Sequence, residues 1–290
     1  MSNLFLKNGE KGKNNWWRYL ITILLSWVVS VIISILLFSL ITTSPDINSN
    51  PLSLYLLVFL QFTLQIILFY ISVKFIHKKN LMSLVNTLKG KDIGEKPISW
   101  IKRIRWNRFL KGILIWFVFI FVSQLITYII VPDSYSFNFN IENLAIITLL
   151  FIGIFTIQVT FEELFFRGYI PQAISLKIKS PIVIILISSL IFCIGHLLNG
   201  GNDLVLVLLN VFTLFLYGIM WNIFTLVENG LELAIGAHLA NNFFGIVISP
   251  LINNSSNYMT MIIVYIVVFL IFFIAYFLFK KEEVLKALNI

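Results

Sequence analysis

Long apolar segments separated by short, polar, turn-rich segments recur along this chain of 290 residues. Each apolar segment is continuous, and most are close to the roughly 20 residues that cross a bilayer as a helix. A transmembrane β-barrel would instead alternate apolar and polar positions. The pattern therefore predicts an all-α, polytopic integral membrane protein. Its eight predicted spans are about 19–42, 51–76, 109–132, 143–168, 181–198, 204–227, 231–250 and 258–279.

Composition supports the membrane assignment. Hydrophobic residues make up 59% of the chain and charged residues 12%, which is too apolar for the core of a soluble protein of this size. The first apolar segment is too long for the core of a signal peptide, so we expect it to be a retained helix. The single cysteine, Cys193, excludes an intrachain disulfide framework and a cysteine-rich metal cluster.

The 21 Lys and Arg residues indicate the orientation. Eleven of them lie between Lys74 and Lys111, and the loops near 46, 135, 201 and 253 have none. With eight spans, every basic segment falls on one face, which predicts a multi-pass protein of the cell membrane with both termini cytoplasmic. The net charge of +8 then reflects topology and contact with the lipid bilayer, and nucleic acid is not expected as a partner.

Residues 80–108 form the one long polar insert in this pattern. Within it, the segment "ISWIKRIRWNRFLKG" at 98–112 mixes bulky apolar residues with basic ones, which predicts an amphipathic helix on the inner leaflet. The alternative is a docking site for an acidic substrate. The predicted organisation is an N-terminal region of three membrane helices with this insert (1–142), a core (143–250), and a C-terminal helix with a basic tail (251–290).

The segment "TFEELFFRGY" places Glu162, Glu163 and Arg167 in an apolar span. Insertion scales assign roughly 2.5–3.5 kcal/mol to each central charge. Glu163 and Arg167 are spaced i, i+4 and are expected to pair on one helix face. Apolar residues would avoid the cost altogether, so the charges indicate function. Glu162 has no charged partner at helical spacing, which makes it a candidate proton acceptor or donor.

Two of the three histidines, His196 and His238, also lie in apolar spans. Asn242 is four residues after His238, so both side chains project to one side of a helix and would donate to a developing oxyanion. Glu162 and His196 lie at similar distances from the turn between their helices, which predicts that they are at the same level. We expect these side chains to converge in the cytoplasmic half of the bilayer.

Three short motifs carry a family resemblance. "EELFFR", "FCIGH" and "HLANN" resemble the patterns E-E-x-x-x-R, F-x-x-x-H and H-x-x-x-N of the CAAX protease and bacteriocin-processing (CPBP, or Abi) family of intramembrane proteases. This family includes the type II CAAX prenyl endopeptidases. The resemblance covers about 143–250 and implies an eight-helix membrane peptidase. By position, Glu163 and Arg167 would fix the geometry of the first motif.

The resemblance also implies roles for the other motif residues. Glu162 would be the base that activates water, with His196 assisting, while His238 and Asn242 would stabilise the oxyanion. The residue types fit peptide hydrolysis independently, because that reaction needs an activated water, an oxyanion stabiliser and a proton donor for the leaving amine. The substrate would be a peptide or membrane-protein segment cut near the inner face.

Whether a metal takes part stays open at this point. Glu162, His196 and His238 would hold zinc with water in the fourth position, and the family is often called a metalloprotease for that reason. Against zinc, Asn242 is a poor ligand and the charge of Arg167 opposes a dication. The sequence therefore favours water activated by glutamate, with no cofactor.

Two other functions fit parts of the sequence. The first is a non-proteolytic immunity or interaction protein, since bacterial members of the family are associated with bacteriocin self-immunity. The second is a proton-coupled transporter. The first three spans lack deeply placed charged residues, which argues against it. A Lys-, Asn- and Ile-rich composition indicates a bacterial source, and so favours a bacterial peptide precursor over a prenylated protein as substrate. No sequence feature indicates the oligomeric state.

Overall fold

The computed structural model describes residues 3–41, 51–87, 101–137, 141–197, 203–249, 252–253 and 258–290. The helices in these ranges are α1 (Leu4–Lys7), α2 (Trp16–Ile41), α3 (Pro51–Ile71, continued by the π-helix Ser72–Ile76), α4 (Met82–Val85), α5 (Trp106–Ile130), α6 (Ile141–Glu163, continued by the π-helix Leu164–Tyr169 and by Ile170–Ile174), α7 (Pro181–Ile194), α8 (Leu204–Glu228), α9 (Glu232–Phe243, continued by the π-helix Phe244–Ile248), α10 (Tyr258–Phe279) and α11 (Lys281–Leu288). Two short strands, β1 (Ser136–Phe137) and β2 (Ile252–Asn253), pair antiparallel.

The all-α, multi-pass membrane class is confirmed. Six of the described helices are long and apolar enough to cross a membrane, namely α2, α3, α5, α6, α8 and α10. The helices at the predicted fifth and seventh spans, α7 and α9, are apolar but shorter. α7 ends at Ile194 because the chain turns at Gly195, although the apolar residues of the sequence continue beyond that point.

The N-terminal segment closes one end of the bundle. The Asn3 side chain donates a hydrogen bond to the Leu226 carbonyl (3.0 Å), and the Asn8 side chain donates to the Ser83 carbonyl (2.9 Å). Phe5 between them is fully buried. These contacts join α1, α4 and the last turn of α8. We call this the basic end, because the basic segments near residues 7–18, 74–79, 102–111 and 177–179 adjoin it.

The amphipathic helix predicted over 98–112 is wrong in its described part. Residues 98–100 lie outside the described residues, 102–104 form a turn, and α5 begins at Trp106. Arg105 instead binds the buried Glu232 at the start of α9, with 2.5 Å between Nη2 and Oε2. Arg108 pairs with Glu228 at the end of α8. These arginines neutralise carboxylates that burial would otherwise leave unpaired.

Helices α5 and α9 pack with their backbones in close contact. A Cβ atom added at Gly236 would lie 2.1 Å from the carbonyl oxygen of Phe109, and one added at Gly112 would lie 2.1 Å from that of Leu233. Backbone carbonyls cannot rotate away as a flexible side chain can. The two glycines therefore set the distance between α5 and α9, the helix that carries His238.

Gly236→Ala is expected to lower the free energy of unfolding by about 1–3 kcal/mol, because the added methyl group forces α5 and α9 apart. Thermal unfolding in detergent micelles measures the change. Gly153→Ala on α6 is the matched control, since nothing lies within 4 Å of its added Cβ atom. Alanine favours helix more than glycine does, so the control should be unchanged or slightly stabilised. Equal losses in both variants would contradict this packing.

Candidate active site

The two glutamates of the first motif end the regular part of α6. Glu162 and Glu163 are its last α-helical residues, and the backbone then continues as the π-helix Leu164–Tyr169. Such insertions are frequent at functional sites because they re-aim side chains within a helix. The Arg167 guanidinium lies 3.0 Å from Glu163 Oε1, and both side chains are fully buried. The ion pair predicted from the i, i+4 spacing is thus confirmed.

Two aromatic rings enclose the guanidinium of Arg167. Its central carbon lies 3.9 Å from the centre of the Phe192 ring and 4.9 Å from that of Trp221. A cation over an aromatic face is stabilised by the ring quadrupole, more so away from water. This contact gives a physical reason for the phenylalanine of the second motif. Trp221 was not identified from the sequence.

His238 lies between the two glutamates, and its predicted approach to Glu162 is confirmed. Its Nδ1 is 2.7 Å from Glu163 Oε1, and since an ionised carboxylate only accepts hydrogen bonds, Nδ1 carries the proton. Its Nε2 is 3.6 Å from Glu162 Oε2, which is too long for a direct hydrogen bond. Trp221 stacks on the imidazole with 4.3 Å between ring centres. Ring orientation and tautomer of His238 are therefore both fixed.

The carboxylate of Glu162 is held on one side. Gln158, one turn earlier, donates from Nε2 to Glu162 Oε1 at 3.1 Å. The other oxygen, Oε2, is buried and has no hydrogen-bond partner among the described residues. An unsatisfied buried acceptor costs free energy unless a small polar molecule occupies the position beside it. Together with His238 Nε2, this oxygen faces a position where a water molecule would bridge the two groups.

His196 reaches this group across the ring of Phe192. It follows the end of α7, is half-buried, and donates from Nδ1 to the Phe192 carbonyl at 2.9 Å. In the neutral imidazole Nε2 then keeps its lone pair and accepts hydrogen bonds. The Phe192 ring centre lies 4.7 Å from that of His196 and 6.3 Å from that of His238. Phe192 thus separates the two imidazoles.

Asn242 is half-buried on α9 and is linked to its neighbour in sequence. Asn241 donates from Nδ2 to Asn242 Oδ1 at 3.3 Å, and Trp116 of α5 donates to Asn241 Oδ1 at 3.3 Å. The H-x-x-x-N pattern singles out Asn242 and gives no reason to consider Asn241. The structure adds Asn241 to the candidate site, because its side chain lines the cavity that also contains His196.

A cavity of about 360 Å³ adjoins the candidate site through His196 and Asn241. Besides His196 and Asn241, the side chains of Gln124, Asn210 and Tyr217 contribute polar atoms to its lining. None of its lining residues in the described part of the chain is Asp, Glu, Lys or Arg. This described lining therefore offers hydrogen bonds but no carboxylate, ammonium or guanidinium group to a bound molecule.

The donor atoms do not fit the zinc site considered from the sequence. Over the described residues, no group of three or more His, Cys, Asp or Glu side chains is arranged to hold a metal ion. Glu162 and His238 lie together, but His196 is on the far side of Phe192. The positive Arg167 in contact with Glu163 also opposes a dication there.

Comparison with known proteins agrees with the three motifs. Residues 144–244 match the family described as type II CAAX prenyl endopeptidase Rce1-like. The chain is also 27% identical, over 257 residues, to the uncharacterized protein YyaK of Bacillus subtilis (strain 168). This match covers 83% of the present chain and 80% of YyaK. No solved structure matches the chain. The resemblance drawn from the motifs is therefore confirmed over residues 144–244, which match this Rce1-like family.

Proposed function

We propose that this protein is an intramembrane endopeptidase that hydrolyses a peptide bond with water activated by Glu162. The observation that carries the proposal is the buried pair of Glu162 Oε2 and His238 Nε2, 3.6 Å apart. One water molecule contacts both groups at that separation. The Rce1-like domain supports the reaction class, because its family is named for endopeptidases.

Glu162 acts as general base. Gln158 holds its Oε1, so Oε2 takes the proton from the water as the oxygen attacks the carbonyl carbon of the scissile bond. His196, on the far side of the Phe192 ring, has no direct contact with this water. As the C–N bond breaks, Glu162 returns the proton to the leaving amine nitrogen. The products are a new carboxylic acid and a new amine, and no covalent enzyme intermediate forms.

His238 and Asn242 stabilise the negative oxygen of the tetrahedral intermediate. The Glu163 carboxylate accepts a hydrogen bond from Nδ1–H of His238, and the imidazolium form of His238 donates its second N–H, at Nε2, to this oxygen. Arg167 pairs with Glu163 and so compensates its charge. Glu163 and Arg167 are thus positioning residues that act through His238 and have no contact with the reacting bond.

The same proposal includes a location and a substrate class. The basic end faces the cytoplasm, so both termini are cytoplasmic in a bacterial cell membrane. The substrate is a bacterial peptide or a membrane-protein segment. Residues 1–142 and 251–290 support and flank the core at 143–250.

Metal-free hydrolysis predicts that the purified protein contains far less than one zinc ion per chain and keeps its activity after chelation. The reason is that Glu162 and His238 form the water site without a third metal ligand. Elemental analysis and a proteolysis assay with and without a chelator measure both quantities. Stoichiometric zinc, together with loss of activity on chelation, would overturn the metal-free mechanism.

The function is tested by comparing peptide termini in cells that carry the wild-type protein or Glu162→Ala. A set of new termini should appear with the wild type and be absent with Glu162→Ala. Glu282→Ala, at an exposed position in α11, is the control and should reproduce the wild-type set. An identical set of termini with Glu162→Ala would refute proteolysis and favour the non-proteolytic immunity role.

A further inference from the structure

The cavity at the candidate site lies towards the end of the bundle opposite the basic end. Gln124 is near the end of α5, Asn210 near the start of α8, and Met261 near the start of α10. At a rise of 1.5 Å per residue, each is within about 10 Å of that helix end. The same end is joined by the β1–β2 pair, so we call it the strand end. Ser249, just after α9, also lines the cavity.

The basic end of the same helices is closed. Arg105 at the start of α5 binds Glu232 at the start of α9, and the Asn86 side chain donates to the same carboxylate at 2.6 Å. Arg108 pairs with Glu228 at the end of α8. These contacts tie the ends of three helices together, and Glu232 is only 1% exposed. A substrate would have to break this buried ion-pair network to enter from the basic end.

A second, apolar groove adjoins the cavity. It measures about 350 Å³ and lies between α5 and α9, with Phe121, Leu125 and Ile248 among its lining residues. Gln124 and Phe244 line both spaces, so the groove and the cavity are adjacent. The cavity has amide side chains that suit the peptide backbone, and the groove suits apolar side chains.

We infer that the substrate is an uncharged peptide segment with apolar side chains that enters the cavity from the strand end, opposite the basic end. This inference rests on the proposed function. The substrate should be uncharged because the described cavity lining has no charged side chains. A charged substrate residue would lose its hydration there without gaining a counter-charge. The apolar groove favours apolar side chains in the substrate, and the closed basic end favours entry from the strand end.

The direction of entry is tested by thiol labelling, which does not require proteolysis. In a Cys193→Ala background, Thr213→Cys places a thiol in the cavity, Asp133→Cys marks the strand end, and Lys177→Cys marks the basic end. A membrane-impermeant thiol reagent is applied to intact cells and to inverted membrane vesicles. Thr213→Cys should react in the preparation in which Asp133→Cys reacts. The inference would be overturned if Thr213→Cys reacted only in the preparation in which Lys177→Cys reacts, in both preparations, or in neither.

The apolar part is tested with a substrate taken from the comparison of peptide termini. Leu125→Trp fills the groove and should raise KM several-fold while kcat is retained, because the reacting groups are untouched. Leu114→Trp is the matched control, since it is an exposed leucine of the same helix that does not line the groove. An unchanged KM for Leu125→Trp would overturn the apolar part. If neither the wild type nor the variants cut any peptide, the proposed function fails, while thiol labelling still decides the direction of entry.

Discussion

Glu162→Gln is expected to lower kcat for peptide hydrolysis by about a hundred- to ten-thousandfold, the usual contribution of a general base. The amide has the same shape as the carboxylate but cannot take a proton from water. Because Glu162 is 4% exposed and is held by Gln158, the substitution leaves the packing around it intact. Steady-state kinetics of the purified protein in liposomes measures kcat, and thermal unfolding verifies the fold.

An exposed glutamate provides the matched control for Glu162→Gln. Glu282→Gln removes the same charge at an exposed position in α11, and its kcat should equal that of the wild type. If Glu162→Gln folds normally and also keeps the wild-type kcat, Glu162 is not the base and the hydrolytic mechanism is wrong.

Arg167→Met is expected to lower the free energy of unfolding by about 3–5 kcal/mol, because it leaves Glu163 buried without its cation. Glu163→Leu combined with Arg167→Met should recover most of that loss, since an apolar pair of similar size needs no neutralisation. The double variant should still be inactive, because His238 Nδ1 loses its carboxylate acceptor. Denaturant-induced unfolding measures the stability of these variants, and the proteolysis assay measures their activity.

An exposed ion pair serves as the control for this series. Lys280 and Glu283 are 2.9 Å apart, and their side chains are 34% and 51% exposed. Lys280→Met should change stability by less than about 1 kcal/mol, because water screens the pair. A double variant of Glu163 and Arg167 that is as unstable as Arg167→Met, or that is fully active, would contradict the positioning role.

Local sequence spacing predicted the parts of the site that lie on one helix. Glu163 and Arg167 are one turn apart on α6, so their pairing follows from helix geometry alone. Gln158 is also one turn from Glu162, so helix geometry accounts for that contact as well. Predicting the contact between α6 and His238 of α9 required the family resemblance, or the assumption that buried polar side chains pack against one another.

The sequence carried no comparable signal for Trp221 and Asn241. A tryptophan in an apolar helix looks the same whether it faces lipid or stacks on an imidazole, and only the packing of α8 against α6 and α9 decides. The insert near Arg105 was misinterpreted for a related reason. Its partner Glu232 is distant in the sequence, so Arg105 had the appearance of a residue that faces lipid headgroups.

The central claim is that Glu162 and His238 act together on one water molecule, and the double variant Glu162→Gln/His238→Gln tests it most directly. Residues that act as a unit show strongly non-additive losses. We predict that kcat/KM of the double variant equals that of Glu162→Gln within experimental error. A loss equal to the product of the two single losses would show that the residues act independently, and would contradict the claim.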